Sequence, residues 1–116
     1  MPSITYHLVA ESYYESTNAS EDYTPEAFAS DGFIHCTDGV ENVIATANRY
    51  CKDDVRSFLM LVIDKEKVSA EIKYEEPERV YPHIYGPLNS DAIASTLLVK
   101  RAADGTFLAL EPANPD

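Results

Sequence analysis

Residues 58 to 63 read Phe58-Leu59-Met60-Leu61-Val62-Ile63, a continuous run of six apolar side chains. A strand with one solvated face alternates apolar and polar residues, whereas a strand buried on both faces is apolar throughout. The run therefore predicts a central strand over residues 57–64, with other strands and helices covering both of its faces.

Further strands are predicted on both sides of this run. An Asp104-Gly105 pair between two β-rich segments indicates a hairpin, because Asp-Gly favours the tight turns that join antiparallel strands. The predicted strands outside the central run are Ile4–Val9, Phe33–Cys36, Glu71–Tyr74, Tyr81–Tyr85, Thr96–Arg101 and Thr106–Leu110.

One good helix is predicted over residues 39–51, because apolar residues recur there at helical spacing. Asp38 and Glu41 form a plausible capping box at its start. A short helix after Thr24-Pro25 ends at Asp31-Gly32, and a polar stretch over residues 12–22 reads as a loop or a ragged helix. Few helices and many strands predict an α+β fold with a mixed, largely antiparallel sheet.

Size and charge limit the class of function. The 116 residues are expected to form one domain, 1–116, with a polar tail from about Glu111. The net charge is −11, from 20 acidic and 9 basic residues, which argues against nucleic acid and acidic membranes as partners. A small ligand with one or two phosphates stays open, because it needs only a local cation. We expect a cytoplasmic protein with reduced cysteines and no secretory signal; protein partners are left open.

All three histidines lie in strand-like segments among bulky neighbours. Side chains alternate along a strand, so His35 shares its face with Phe33 and Thr37, and His83 shares its face with Tyr81 and Tyr85. Imidazoles beside aromatic and hydroxyl groups suit stacking on a flat ligand and hydrogen bonding to its edge. We expect His7, His35 and His83 to converge on one cleft. The alternative is that each is a structural histidine bonded within a sheet.

Other chemistry is less well supported by the residues. The histidines are 28 and 48 residues apart, without the close ligand pair typical of zinc sites, so no metal is expected. Cys36 adjoins His35, but neighbours on a strand face opposite sides and cannot meet as nucleophile and base. Within the acidic run 75–79, Glu75 is the best placed to reach the cleft as a base or a ribose ligand.

Several blocks occur in an order that resembles the family called Domain of Unknown Function 952. The resemblance runs from about Ile4 to Phe107, and its specific part is the combination of a Gly-Phe-Ile-His block with a Pro-His-Ile-Tyr-Gly-Pro-Leu block. The blocks are Tyr6-His7-Leu8, Gly32-Phe33-Ile34-His35-Cys36-Thr37, Ala47-Asn48-Arg49-Tyr50, Tyr74-Glu75 and Pro82-His83-Ile84-Tyr85-Gly86-Pro87-Leu88.

The resemblance implies a fold similar to the ADP-ribosyltransferase superfamily, a split, mostly antiparallel β core with a nicotinamide-dinucleotide cleft between its halves. In that superfamily a first-strand histidine or arginine holds a ribose hydroxyl, a second-strand tyrosine or histidine stacks on nicotinamide, and a late-strand glutamate stabilises the oxocarbenium ion. By position, His7 resembles the first element and His35 the second. The third resembles His83 rather than a glutamate, which departs from classical transferases and is closer to RNA 2′-phosphotransferases.

The leading hypothesis is a pocket that binds NAD or a related nucleotide as substrate and transfers or cleaves ADP-ribose. The expected catalytic residues are His35, His83 and Glu75, and the expected ligand-binding residues are His7, Phe33, Thr37 and Tyr85. Two alternatives remain: a non-catalytic binding module of the same fold, and a small histidine-based enzyme that acts on another planar metabolite.

Overall fold

The computed structural model of the protein describes residues 3–17, 21–77 and 79–112. Within those ranges the chain forms an antiparallel α+β structure. Its strands are β1 (Ile4–Ala10), β2 (Ile34–His35), β3 (Phe58–Asp64), β4 (Glu71–Tyr74), β5 (Pro82–Tyr85), β6 (Ile93–Arg101) and β7 (Phe107–Pro112). Its helices are α1 (Glu11–Ser16), α2 (Phe28–Asp31) and α3 (Val40–Tyr50), with 3₁₀ turns at Lys65–Lys67 and Ser90–Ala92.

The larger sheet has the strand order β1-β3-β6-β7, with antiparallel pairing throughout. β3 lies between β1 and β6, and all of its apolar side chains are buried except Val62, which is half-buried. The prediction of a central strand buried on both faces is therefore confirmed.

The smaller sheet has the order β2-β5-β4, again antiparallel. Its inner face buries Ile34 and Ile84 completely, whereas His35 is exposed and His83 is half-buried on the other face. The strand predicted over Phe33–Cys36 is limited to Ile34–His35, and His35 is exposed because β2 covers the core with one face only.

The two sheets meet along β1 and the end of β2. Tyr6 and Thr37 exchange backbone hydrogen bonds of 3.0 and 2.8 Å, which join the sheets edge to edge. A polar cluster adds a second link: the Tyr74 hydroxyl donates to Asp38 Oδ2 and accepts from Lys65 Nζ, both at 2.6 Å. Since Asp38 follows β2 and Lys65 follows β3, this cluster joins the two halves of a split antiparallel core.

The main helix is α3, as predicted, but its start differs from the prediction. Its N-cap is Gly39, at φ 90°, with no side-chain cap hydrogen bond, so the capping box of Asp38 and Glu41 does not form. The Asp38 carboxylate instead meets Lys65 and Tyr74, because charge-assisted bonds to these residues are stronger than a local cap. Ala47 of α3 packs with Phe58 and Phe107.

The hairpin of β6 and β7 forms as predicted, with Gly105 at φ +97° in its turn. β7 runs through Glu111 and Pro112, which pair with Leu98 and Leu97 of β6, at the start of the stretch predicted as a polar tail from about Glu111. Residues 113–116 lie outside the described ranges.

The outer edge of β7 is held by one side chain of α3. Phe107 N–H donates to Asn48 Oδ1 at 2.7 Å, and Asn48 Nδ2 donates to the Phe107 carbonyl at 3.0 Å. The amide therefore satisfies both backbone groups of the first residue of β7, and it ties α3 to the larger sheet.

Candidate functional site

The three histidines line one cavity of about 620 Å³ at the junction of the two sheets. The volume lies within the range of small-ligand pockets. The wall is formed by β1, β2, β5 and α3, and it includes His7, His35, His83, Thr37, Arg49 and Tyr81. The structure thus brings together imidazoles that are far apart in the sequence, as the strand patterns suggested.

His7 lies on β1 and is 6% exposed. Its Nδ1 lies 2.7 Å from the His35 carbonyl oxygen, which can only accept, so Nδ1 carries the hydrogen. Its Nε2 then accepts from the Tyr23 hydroxyl at 2.9 Å. Burial lowers the pKa of His7 from 6.5 to about 4, so the ring is neutral at pH 7. Both nitrogens are engaged within the protein, and a ribose could reach His7 only by replacing one of these bonds.

His35 lies on β2 with 62% of its side chain exposed. Its Nε2 lies 3.0 Å from Asp31 Oδ2, and an ionised carboxylate can only accept, so the Nε2–H donates. Asp31 is the last residue of α2, and Gly32 follows at φ +80°, the left-handed region that suits glycine. This tight turn places the helix carboxylate beside the first histidine of the smaller sheet.

His83 lies on β5 directly opposite His35 in the strand register, with the ring centroids 5.4 Å apart. Its Nδ1 lies 3.0 Å from Glu75 Oε1, so this nitrogen donates and the neutral ring keeps its lone pair on Nε2. The Tyr85 hydroxyl donates a short hydrogen bond to the same Glu75 oxygen. The bonds from Tyr85 and His83 lower the pKa of Glu75, which stays a carboxylate.

Aromatic rings support the imidazole pair from outside the cavity. Phe33 stacks on His83 with centroids 4.1 Å apart and planes 16° apart, and it lies 5.2 Å from the Tyr85 ring. Of the predicted site residues, His7, His35, His83 and Thr37 line the cavity, whereas Phe33, Glu75 and Tyr85 lie behind the imidazoles. These three residues therefore hold His83 in place, and one face of the Phe33 ring is stacked on His83.

Two cationic side chains of the wall were not singled out from the sequence. Arg49 is exposed on the last turn of α3, and Arg56 follows in the loop before β3. The guanidinium of Arg56 is bound by Asp54 at 2.8 Å and by Glu26 at 3.1 Å. The guanidinium of Arg49 instead lies 5.8 Å from the centre of the Tyr50 ring, and interactions with the Tyr50 and Tyr81 side chains raise its pKa. In the sequence, Arg49 could have been noticed because it lies in the Ala47-Asn48-Arg49-Tyr50 block of the family resemblance.

The cysteines are free thiols, with Cys36 buried and Cys51 half-buried. Burial raises the pKa of both, which leaves them protonated and weak as nucleophiles at neutral pH. Within the ranges that the structure describes, no three His, Cys, Asp or Glu side chains are grouped to hold a metal ion. In the same ranges no helix is long and apolar enough to cross a membrane.

Residues 8–96 match the model of a protein family described as a protein of unknown function, DUF952. The chain belongs to the DUF952 family. The match covers β1 from Leu8 through most of the strands and includes two of the three cavity histidines, His35 and His83. His7 lies one residue before it.

Solved structures similar to this DUF952 chain come from CC0527 of Caulobacter crescentus. Its crystal structure is 20% identical with a TM-score of 0.75, covering 90% of this chain and 93% of that chain. Its solution NMR structure is 20% identical with a TM-score of 0.67, covering 89% and 90%. At this identity the likeness shows a shared fold. A comparison with curated proteins found no match.

Proposed function

We propose that this DUF952 protein binds NAD⁺ or a related nucleotide in the cavity and transfers or cleaves ADP-ribose. The observation that carries the proposal is the convergence of three imidazoles on one cavity of about 620 Å³ at the split between two antiparallel sheets. A split core with a cleft between its halves is what the resemblance to the ADP-ribosyltransferase superfamily implies. The charge of −11 makes a small ligand more favourable than an extended polyanion.

His83 is the proposed general base. Glu75 fixes its ring through Nδ1, which leaves the Nε2 lone pair for a proton from water or from an acceptor hydroxyl. In cleavage, the bond between ribose C1′ and the nicotinamide nitrogen breaks, and its electron pair leaves with neutral nicotinamide. The oxygen that His83 deprotonates forms the new bond to C1′, and the proton goes to His83.

His35 is the proposed ligand-contacting partner on the same wall. Its imidazole is exposed and oriented by Asp31, so its Nδ1 can bind a hydroxyl or an amide of the ligand. His7 has a positioning role, because its two bonds hold the Tyr23 hydroxyl and the backbone at His35. Thr37 contributes by joining the two sheets beside the cavity.

Calorimetric titration with NAD⁺, followed by an assay for released nicotinamide, tests the proposal. Wild-type protein should bind NAD⁺ and release nicotinamide. His35→Ala should abolish binding and keep the fold, because 62% of this side chain is exposed. Absence of NAD⁺ binding by well-folded wild-type protein would refute the proposal, and binding without nicotinamide release would favour a non-catalytic module.

A second candidate is a histidine-based enzyme that acts on another planar metabolite. The observation in its favour is that two carboxylate-oriented imidazoles lie 5.4 Å apart, with a histidine at the late-strand position where the superfamily has a glutamate. Paired imidazoles are suited to general acid–base catalysis, whereas neutral imidazoles are poorly suited to stabilising a positively charged oxocarbenium ion. Thermal shift measurements with nucleotides and with uncharged planar heterocycles distinguish the two candidates. Stabilisation by nucleotides alone favours the NAD⁺ proposal, and stabilisation by the heterocycles alone favours the second candidate.

A further inference from the structure

The cavity wall carries two cationic side chains among the described residues, Arg49 and Arg56, and their surroundings differ. Three N–H groups of Arg56 are used by Asp54 and Glu26, so this arginine brings little net positive charge to a ligand. Arg49 makes none of the ion pairs seen between described residues, although the carboxylates of Glu26, Asp31 and Glu76 also line the cavity. The Arg49 guanidinium is exposed and lies 5.8 Å from the centre of the Tyr50 ring, so a ligand in the cavity can reach it.

The position of Arg49 is set by α3. The residue lies on the last turn of the helix, where a cation also interacts favourably with the helix dipole. One turn earlier, Thr46 Oγ1 lies 3.5 Å from the Tyr81 hydroxyl, which brings this end of α3 beside the start of β5. Thr46, Arg49 and Tyr81 all line the cavity, so a guanidinium and two hydroxyls face the same space.

The register of β5 relates this group to the imidazole pair. Burial alternates from Tyr81 to Tyr85, so Tyr81 and His83 lie on one face of the extended chain. Residues two apart on a strand are roughly 7 Å apart. A ligand that contacts Tyr81 and Arg49 with one group therefore presents a second group to His83 about one strand repeat away.

We propose that Arg49, with Tyr81, is the anion subsite of the cavity and binds a phosphate or pyrophosphate group of the substrate. This assignment rests on the proposed function and narrows the class of substrate. The substrate is a phosphorylated nucleotide that binds with its phosphate at Arg49 and with the bond to be cleaved next to His83. Guanidinium groups bind phosphate oxygens in bidentate fashion, and the Tyr81 hydroxyl adds a donor. The Thr46 hydroxyl donates to the Asn42 carbonyl oxygen at 2.9 Å and so adds no donor.

The test compares Arg49→Gln with Arg56→Gln, a matched control that removes the same charge from the same wall. Binding of ADP-ribose, inorganic pyrophosphate and adenosine is measured by calorimetry at fixed ionic strength, with Arg49→Lys as a conservative variant. Arg49→Gln should weaken the binding of ADP-ribose and of pyrophosphate at least about tenfold, the usual effect of losing a charged hydrogen bond. Arg56→Gln should change the affinity for these two ligands less than about threefold. Neither variant should affect adenosine binding.

Equal weakening by Arg49→Gln and Arg56→Gln would overturn the subsite, because the effect would then be one of net charge. Failure of folded wild-type protein to bind any of the phosphorylated probes would overturn it as well. If pyrophosphate binds in an Arg49-dependent way but NAD⁺ does not bind, the anion subsite stands and the NAD⁺ proposal fails. Partial rescue of pyrophosphate binding by Arg49→Lys supports a direct contact.

Discussion

Glu75 Oε1 lies 3.0 Å from Nδ1 of His83, and this contact fixes which nitrogen of the ring faces the cavity with its lone pair. A carboxylate at this position holds the ring in the tautomer with its hydrogen on Nδ1. The pair connects the acidic run after β4 to the middle of β5, so it depends on the pairing of these two strands.

Glu75→Gln should lower nicotinamide release about 10- to 100-fold with little change in stability, because the amide no longer fixes the neutral tautomer. Glu71→Gln is the matched control: it removes an exposed carboxylate from the same strand region without touching His83. Turnover and the ¹⁵N shifts of the His83 ring provide the two readouts. Unchanged ¹⁵N shifts in Glu75→Gln would contradict the orienting role even if activity fell.

Stability should fall as the pH drops from 6.5 to about 4, because His7 stays neutral in the folded protein while the unfolded chain takes up a proton. Above pH 6.5 the His7 ring is neutral in both the folded and the unfolded protein, so it adds no pH dependence to the stability. The loss across the window amounts to about 3 kcal/mol, from a pKa difference of roughly 2.5 units.

Urea denaturation between pH 7 and pH 4.5 measures this slope. His7→Gln should flatten it, whereas His35→Gln, which changes an exposed ring, should keep it. NMR titration of the His7 ring gives the folded-state pKa directly if the variant does not fold. An ordinary pKa near 6.5 in the folded protein would show the explanation to be wrong.

Tyr74→Phe should destabilise the fold by about 1–2 kcal/mol, because it removes two charge-assisted bonds from the link between the sheets. Tyr85→Phe removes a hydroxyl of the same kind from the exposed Glu75 and should cost less than about 0.5 kcal/mol. Chemical denaturation of both variants makes the comparison. Similar losses from the two would mean that the cluster does not hold the halves together.

Gly105→Ala should destabilise the protein by about 3 kcal/mol, and Gly32→Ala by about 1 kcal/mol. Both glycines have positive φ, so each substitution carries the left-handed backbone penalty. A Cβ at Gly105 would also lie 2.5 Å from the Lys52 carbonyl oxygen, whereas a Cβ at Gly32 meets nothing within 4 Å. Thermal unfolding of the two variants separates the steric contact with Lys52 from the backbone strain that both variants share. Equal losses of stability would show that the close approach to Lys52 makes no contribution.

Local patterns in the sequence were sufficient for the strands and for α3. The apolar run of β3, the alternation in β5 and the Asp104-Gly105 turn each contain their own signal, because side-chain period and turn chemistry depend on neighbours along the chain. The histidines were found for the same reason, since each lies among bulky strand residues.

Contacts between distant residues were the part that the sequence did not predict. The sequence predicted that Asp38 caps α3, but its carboxylate binds Lys65 and Tyr74, which are 27 and 36 residues away. The proximity of Thr46 to Tyr81 depends on how α3 lies relative to the residue before β5, and no local pattern encodes it. The engagement of His7 by Tyr23 has the same origin, because it needs the loop before α2 to fold over β1.

The amide of Asn48 has a consequence for how copies of this protein meet one another. An edge strand with free N–H and C=O groups is a template on which a neighbouring polypeptide can add a strand, and repeated addition leads to aggregation. At Phe107 those groups are already bonded to a side chain of the same molecule. A second molecule that approaches this end of β7 must first displace α3, so growth of the sheet through this edge is disfavoured in concentrated solution.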